Sequence, residues 1–139
     1  MNLWAWGANS HGQLGLGIIT EQVQEPTKVV LSQFCNKIKQ ISCGGGHTLL
    51  LNDEDNRKVK DVALGSEHTI CLSEDNTLWA WGWNEHANTG ISLEPVISFP
   101  TIVPIKFNKD EIITQIYAGG AHNFIVTNIN KNDDSEEKL

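Results

Sequence analysis

Three histidines stand at the same place in three copies of one short signal. His47, His68 and His122 each close a Gly-x-x-His stretch: GGGHTLLL from Gly44, GSEHTICL from Gly65 and GGAHNFIV from Gly119. Converging imidazoles could ligate a metal or serve as general bases. Cys43, four residues before His47, raises a thiol nucleophile with its base. GQLGLG, Gly12–Gly17, has the glycine density of a loop that cradles phosphate. Each chemistry has a plainer competitor in the pattern itself. A histidine that recurs at one place in every copy is expected to make a repeated structural hydrogen bond. The cysteine position becomes Leu64 and Ala118 in the other copies, and no third orienting residue recurs. The glycine loop runs on into IITEQVQEP, which lacks the helix that a dinucleotide fingerprint requires. The expectation is no catalytic residue, no metal and no cofactor.

The elements that must position these residues read as β throughout. IKQISC, VKDVAL and IITQIYA precede the three glycine signals, and HTLLL, HTICL and HNFIV follow them as return strands. Glycine permits the positive φ of a tight turn. After the second copy, EDNT (Glu74–Thr77) makes a further turn into LWAWG. No stretch has helical periodicity, so the class is all-β.

A longer repeat frames the short one. LWAWGANSHGQLG from Leu3 and LWAWGWNEHANTG from Leu78 agree at eight of thirteen positions, including Trp4/Trp79, Trp6/Trp81, Gly7/Gly82, Asn9/Asn84 and His11/His86. From His68 the chain runs through the second of these, a loop with Pro95, Pro100 and Pro104, and a strand, reaching His122 after 54 residues. Only 21 positions separate His47 from His68, with no W-G-x-N element between them. About 33 residues of one cycle are missing, alone or with whole cycles besides. The expected organisation is a first repeat over 1–52, a join over 53–60, later repeats over 61–129, and a disordered acidic tail over 130–139.

Composition sets limits on partners. The chain has 139 residues, enough for one domain, and 40% of them are apolar. A net charge of −7 with no basic stripe argues against holding nucleic acid by its phosphates. MNLWAWGANS lacks the basic start and apolar stretch of a signal peptide, and no stretch approaches 18 apolar residues. Cys35, Cys43 and Cys71 are odd in number and fit no metal spacing, as reduced thiols in a cytoplasmic or nuclear protein do.

Tandem cycles of W-G-x-N-x-x-G-Q-L-G, a proline loop and C-G-x-x-H resemble the regulator of chromosome condensation family. Trp6, Gly7, Asn9, Gly12, Gln13, Leu14, Gly15 and Gly17 fit the turn, Pro26 the loop, and Cys43, Gly44 and His47 the end of the cycle. Gly65, His68, Trp81, Gly82, Gly119 and His122 repeat these structural positions, so the resemblance covers roughly residues 2–128. Ala87, Asn88 and Thr89 depart from the Gly-Gln-Leu of the turn, which is expected to distort it. The family fold implies a seven-bladed propeller, each blade a four-stranded antiparallel sheet, needing roughly 350 residues. The expectation here is an incomplete β-propeller of two to three four-stranded blades.

The resemblance is strongest to an exchange-factor branch linked to secretion. It implies a protein-interaction module whose partner is a small GTPase or a secretion-related protein, with no bond chemistry of its own. The alternative is a structural remnant that self-associates or caps another propeller. Trp4, Trp6, Trp79 and Trp81 alternate along strands and are expected between blades, unless missing blades leave them bare. Trp83, Asn84, Glu85 and His86 combine an aromatic with polar groups on a turn and are the candidate partner contacts.

Overall fold

A computed structural model describes residues 1–31, 37–52 and 58–130. Cys35, most of the 53–60 join and all but the first residue of the 130–139 tail lie outside the described residues. Among the described residues ten strands follow one another: β1 Leu3–Ala8, β2 Gln22–Val29, β3 Ile38–Cys43, β4 Thr48–Asn52, β5 Val59–Leu64, β6 His68–Ser73, β7 Leu78–Trp83, β8 Val96–Ile102, β9 Glu111–Ala118 and β10 Asn123–Ile129. No helix occurs among the described residues.

Every pairing is antiparallel between neighbours in sequence, as short turns dictate. Among the described residues only β5-β6-β7-β8 forms a four-stranded sheet; β1-β2, β3-β4 and β9-β10 are separate pairs. The expected two to three four-stranded blades are therefore one complete blade and three halves. β3-β4 and β9-β10 each end in, or begin from, a Gly-x-x-His turn and correspond to β5-β6, the inner half of the complete blade. β1-β2 carries LWAWG and corresponds to β7-β8, the outer half. β5 is the next strand after β4, and among the described residues no outer pair stands between them.

The halves are in the same register as their full-length counterparts. Both LWAWG strands shift register before the glycine, between Ala5 and Gly7 and between Ala80 and Gly82, and both glycines take φ +107°. An L-residue would resist that backbone, so the glycine fixes the bulge.

The core lies between the complete blade and β9. Ile70 and Leu72 of β6 stand opposite Ala80 and Leu78 of β7, on one face by strict alternation. Ile113 and Ile116 of β9 close over them, and all six side chains are buried. At about 2 kcal/mol for each large apolar side chain removed from water, this junction is the main source of stability. Asn76, at φ +68° in the β6-β7 turn, accepts from Ile113 N–H and donates to the Glu111 carbonyl, which pins β9 to the blade. The Trp4 and Trp6 side chains are 51% and 59% exposed rather than packed between blades. Trp79 and Trp81 are half-buried.

Candidate functional site

The three Gly-x-x-His turns form a ladder that links one half-blade to the next. Gly45 N–H donates to the Ser66 carbonyl at 2.9 Å, and Ser66 N–H donates to the Gly120 carbonyl at 3.0 Å. The His47 Nε2 lies 3.2 Å from Thr69 Oγ1, and His68 Nε2 lies 2.6 Å from Asn123 Oδ1. His47 and His68 thus each reach the residue that follows the next histidine. Within each turn the glycine N–H donates to the histidine carbonyl, as Gly44 does to His47, Gly65 to His68 and Gly119 to His122. A Cβ at Gly44 would meet the Gly65 carbonyl at 2.6 Å, and one at Gly65 would meet the Gly119 carbonyl at 2.6 Å. Glycine is required because the next copy lies against it.

The ladder is structural in character. His68 is fully buried, and its Nδ1 has no partner, so Nε2 holds the proton that Asn123 Oδ1 accepts. Burial is the main influence holding the His47 imidazole below its ordinary pKa, with the nearby His68 adding to it. Among the described residues no three His, Cys, Asp or Glu side chains gather as a metal site. The buried Cys71 thiol is pushed up by desolvation and then by the Asp61 carboxylate, which leaves it a poor nucleophile; Cys43 is exposed. Thr69, Asn123 and Ser66 were not singled out in the sequence. Their signal was there: Thr48, Thr69 and Asn123 are each a polar residue heading an apolar strand.

The two W-G-x-N turns share one hydrogen-bond frame. Asn9 and Asn84 are both buried. Asn9 Nδ2 donates to the Ile18 carbonyl and to Thr20 Oγ1, and its Oδ1 accepts from Leu14 N–H. Asn84 Nδ2 donates to the carbonyls of Ser92 and Glu94 at 2.8 and 2.7 Å, and its Oδ1 accepts from the amide and the hydroxyl of Thr89. The expected distortion of the second turn does not occur. Gly12 N–H donates to the Asn9 carbonyl and Gly15 N–H to that of Gly12; Ala87 and Gly90 repeat both bonds. Ala87 adopts φ +55° where the first turn has Gly12 at +70°.

That frame separates the four candidate contact residues. Asn84 lies beneath the turn with its amide fully engaged in shaping the loop. Glu85 and His86 are exposed, and Trp83 is half-buried. The Trp83 and His86 rings meet edge-on, with centroids 5.0 Å apart. Asn88 Nδ2 donates to the Trp83 carbonyl at 2.6 Å and fixes the base of the loop. Glycines Gly12, Gly15 and Gly17 of the first turn all have positive φ, and no helix follows them, so GQLGLG is a turn.

The regulator of chromosome condensation (RCC1) repeat model matches residues 2–51, and a second model of the same repeat matches 59–87. The chain belongs to the RCC1 repeat family. Human HERC6, a probable E3 ubiquitin-protein ligase, is 33% identical over 128 residues, which is 90% of this chain and 10% of HERC6. Bovine secretion-regulating guanine nucleotide exchange factor is 52% identical over 54 residues, 37% of this chain and 11% of that protein. The chain therefore spans about a tenth of these curated relatives. Among solved structures, yeast Prp20p, described with its binding to Gsp1p and histones, superposes with a TM-score of 0.80 at 21% identity. That match covers 95% of this chain and 40% of Prp20p. Human WBSCR16 gives a TM-score of 0.68 at 19% identity, over 91% of this chain. The RCC1 fold is thus an incomplete propeller here.

Proposed function

We propose that this RCC1-repeat chain is a non-catalytic protein-interaction module whose contact is the Trp83–His86 turn. The observation that carries this reading is the division of labour in that turn. Asn84, Asn88 and Thr89 lock the backbone, and Trp83, Glu85 and His86 are held above them. A preorganised aromatic beside an acid and an imidazole gives contact area at little entropic cost. The partner is a small GTPase or a secretion-related protein, in keeping with the exchange-factor relative and its shared segment. A guanine nucleotide exchange factor breaks no bond; it lowers nucleotide affinity by distorting the GTPase site. A cytoplasmic or nuclear setting suits such a partner.

Purified GDP-loaded small GTPases, immobilised as a panel, provide the test. Trp83→Ala and His86→Ala should weaken capture at least tenfold while leaving circular dichroism unchanged, because neither side chain holds the turn frame. Capture by no GTPase, or equal loss of fold and binding, sinks this reading. A second reading, a scaffold that associates through its half-blades, is favoured by the bare Trp4 and Trp6.

A further inference from the structure

The three half-blades leave two different unfilled places. One is a groove of about 540 Å³ between β1-β2 and β3-β4, with Leu3, Ala5, Leu14, Val29, Ile41 and Leu50 in its walls. It lies where an inner hairpin belongs, because β1-β2 stands to β3-β4 as β7-β8 stands to β9-β10. Thr48 Oγ1 donates to the Gln13 carbonyl, and at the matching places Asn123 Nδ2 donates to the Asn88 carbonyl. Two equivalent glycines mark the vacancy. A Cβ at Gly82 would strike the Glu67 carbonyl at 2.5 Å and the His68 backbone at 2.8 Å, whereas nothing lies within 4 Å of one at Gly7.

The other end of the array carries the missing piece. Among the described residues β9-β10 is an inner hairpin with no outer pair, and β10 pairs with β9 alone. Phe124 and Val126 of β10 and Tyr117 of β9 are 67%, 40% and 52% exposed. Phe124 and Tyr117 are cross-strand partners, so the three share a bare face. The ladder is open at the same end. Among the described residues Gly120 N–H and the His122 imidazole have no hydrogen-bond partner, and the nearest neighbour of a Cβ at Gly119 would be its own histidine rather than the carbonyl of a next copy. Edge protection is absent too. The outer strands β2 and β8 carry Pro26 and Pro100, while β1 and β10 contain neither proline nor a charged residue.

We propose that a second copy of this chain docks head to tail, inserting its β9-β10 hairpin into the groove and pairing its β10 with β1 of the first. The blade so formed, β9-β10 from one copy and β1-β2 from the other, repeats β5-β6-β7-β8. The register follows from β6-β7, where His68, Ile70 and Leu72 face Gly82, Ala80 and Leu78. His122, Phe124 and Val126 of one copy then face Gly7, Ala5 and Leu3 of the other. The same placement carries the ladder across the junction. His122 reaches Thr48 as His68 reaches Asn123, and Gly120 N–H meets the Gly45 carbonyl as Ser66 N–H meets that of Gly120. Phe124 and Val126 come to rest on Ile41 and Leu50, whose side chains face the groove. Strand pairing, ladder and apolar contact converge on one geometry.

A competing arrangement is excluded by the fold. Among the described residues β4 pairs with β3 alone, and a second vacancy lies beside Trp79 and Trp81. A β1-β2 pair seated there would bring its own β3-β4 hairpin into the space already filled by β5-β6. The head-to-tail arrangement meets no such clash, because the blade next to the inserted hairpin lies beyond the open end. The interface is heterologous, joining different surfaces of the two copies.

This inference goes beyond the GTPase reading and is tested on the chain alone, so either can fail without the other. Sedimentation across a concentration series should show the mass rising above the 15.4 kDa of one chain. Phe124→Lys, which spoils the hairpin, and Leu50→Lys, which spoils the groove, should each stay at one-chain mass. An equimolar mixture of the two should form a 1:1 complex, since one variant keeps an intact groove and the other an intact hairpin. Phe124 is 67% exposed, so its lysine variant should fold as the parent does. In the parent, amide exchange should slow with concentration in Leu3–Gly7 and Asn123–Val126. A parent that stays at one-chain mass, association that survives either substitution, or a mixture no heavier than its parts overturns the proposal. So does concentration-dependent protection centred on β4 instead.

Discussion

The segment LWAWG occurs twice and meets two different environments. In β7 it is the third strand of a complete blade, with Leu78 and Ala80 buried and Trp79 and Trp81 half-covered. The indole of Trp79 donates to Ser73 Oγ at 2.6 Å. In β1 the same five residues pair only with β2; Leu3 and Ala5 are partly exposed, and Trp4 and Trp6 lie more than half in water. Backbone conformation is the same, down to φ +107° at the glycine. Local sequence therefore sets the strand and its bulge, and the neighbouring hairpin sets how much each residue stabilises the fold.

The largest test of that contrast uses the matched leucines. Leu78→Ala opens a cavity in the buried junction and should cost about 3 kcal/mol in urea unfolding. Leu3→Ala, at the same place in the repeat, should cost about 1 kcal/mol or less, because its site is already partly wet. Equal losses measured at a concentration where the chain is a monomer would show that the two strands are not energetically distinct.

The histidines offer the next contrast. His68→Ala should lower stability by roughly 1–3 kcal/mol, since it removes a buried imidazole and leaves the half-buried Asn123 Oδ1 without its donor. His122→Ala, exposed and at the open end of the ladder, should fall within about 0.5 kcal/mol of the parent under dilute conditions. A metal ion that copurifies with the chain and is lost in His68→Ala would overturn the structural assignment.

Smaller still is the effect of the two turns. Ala87 holds a positive φ that glycine holds at residue 12, so Ala87→Gly should stabilise by about 0.5–1 kcal/mol, relief of strain outweighing lost chain stiffness. A loss of stability would mean that the Ala87 methyl group makes a contact of its own.

The smallest expected effect concerns acid. His47 has a folded pKa below its ordinary 6.5, chiefly through burial, so the unfolded chain binds more protons in that window. Stability from this group is complete above 6.5 and is lost as pH falls toward the lower folded value. Melting temperature should therefore drop modestly between pH 7.5 and pH 5.5, and drop less in His47→Gln. An unchanged pH response in the variant would assign the effect elsewhere.

How much was legible in the sequence depends on the range of the interaction. Alternation and turn glycines located the strands because both act within a few residues. The match of Asn84 to Asn9 was visible in the repeat, and in the structure both are buried with their amides engaged in the turn. The distortion expected from Ala87, Asn88 and Thr89 failed for a physical reason. The turn is held by Asn84 and backbone bonds, which Ala87 meets at positive φ and Thr89 strengthens with its hydroxyl.

The sequence by itself determined the repeat, its all-β character and the places where glycine and histidine recur, because each is fixed by backbone geometry within one cycle. Its spacing also showed that one cycle is short between His47 and His68. Only the tertiary structure decided which half-blades find partners. Whether Leu3 or Leu78, His122 or His68, is buried depends on a hairpin tens of residues away, or in another molecule, and no local pattern encodes its presence.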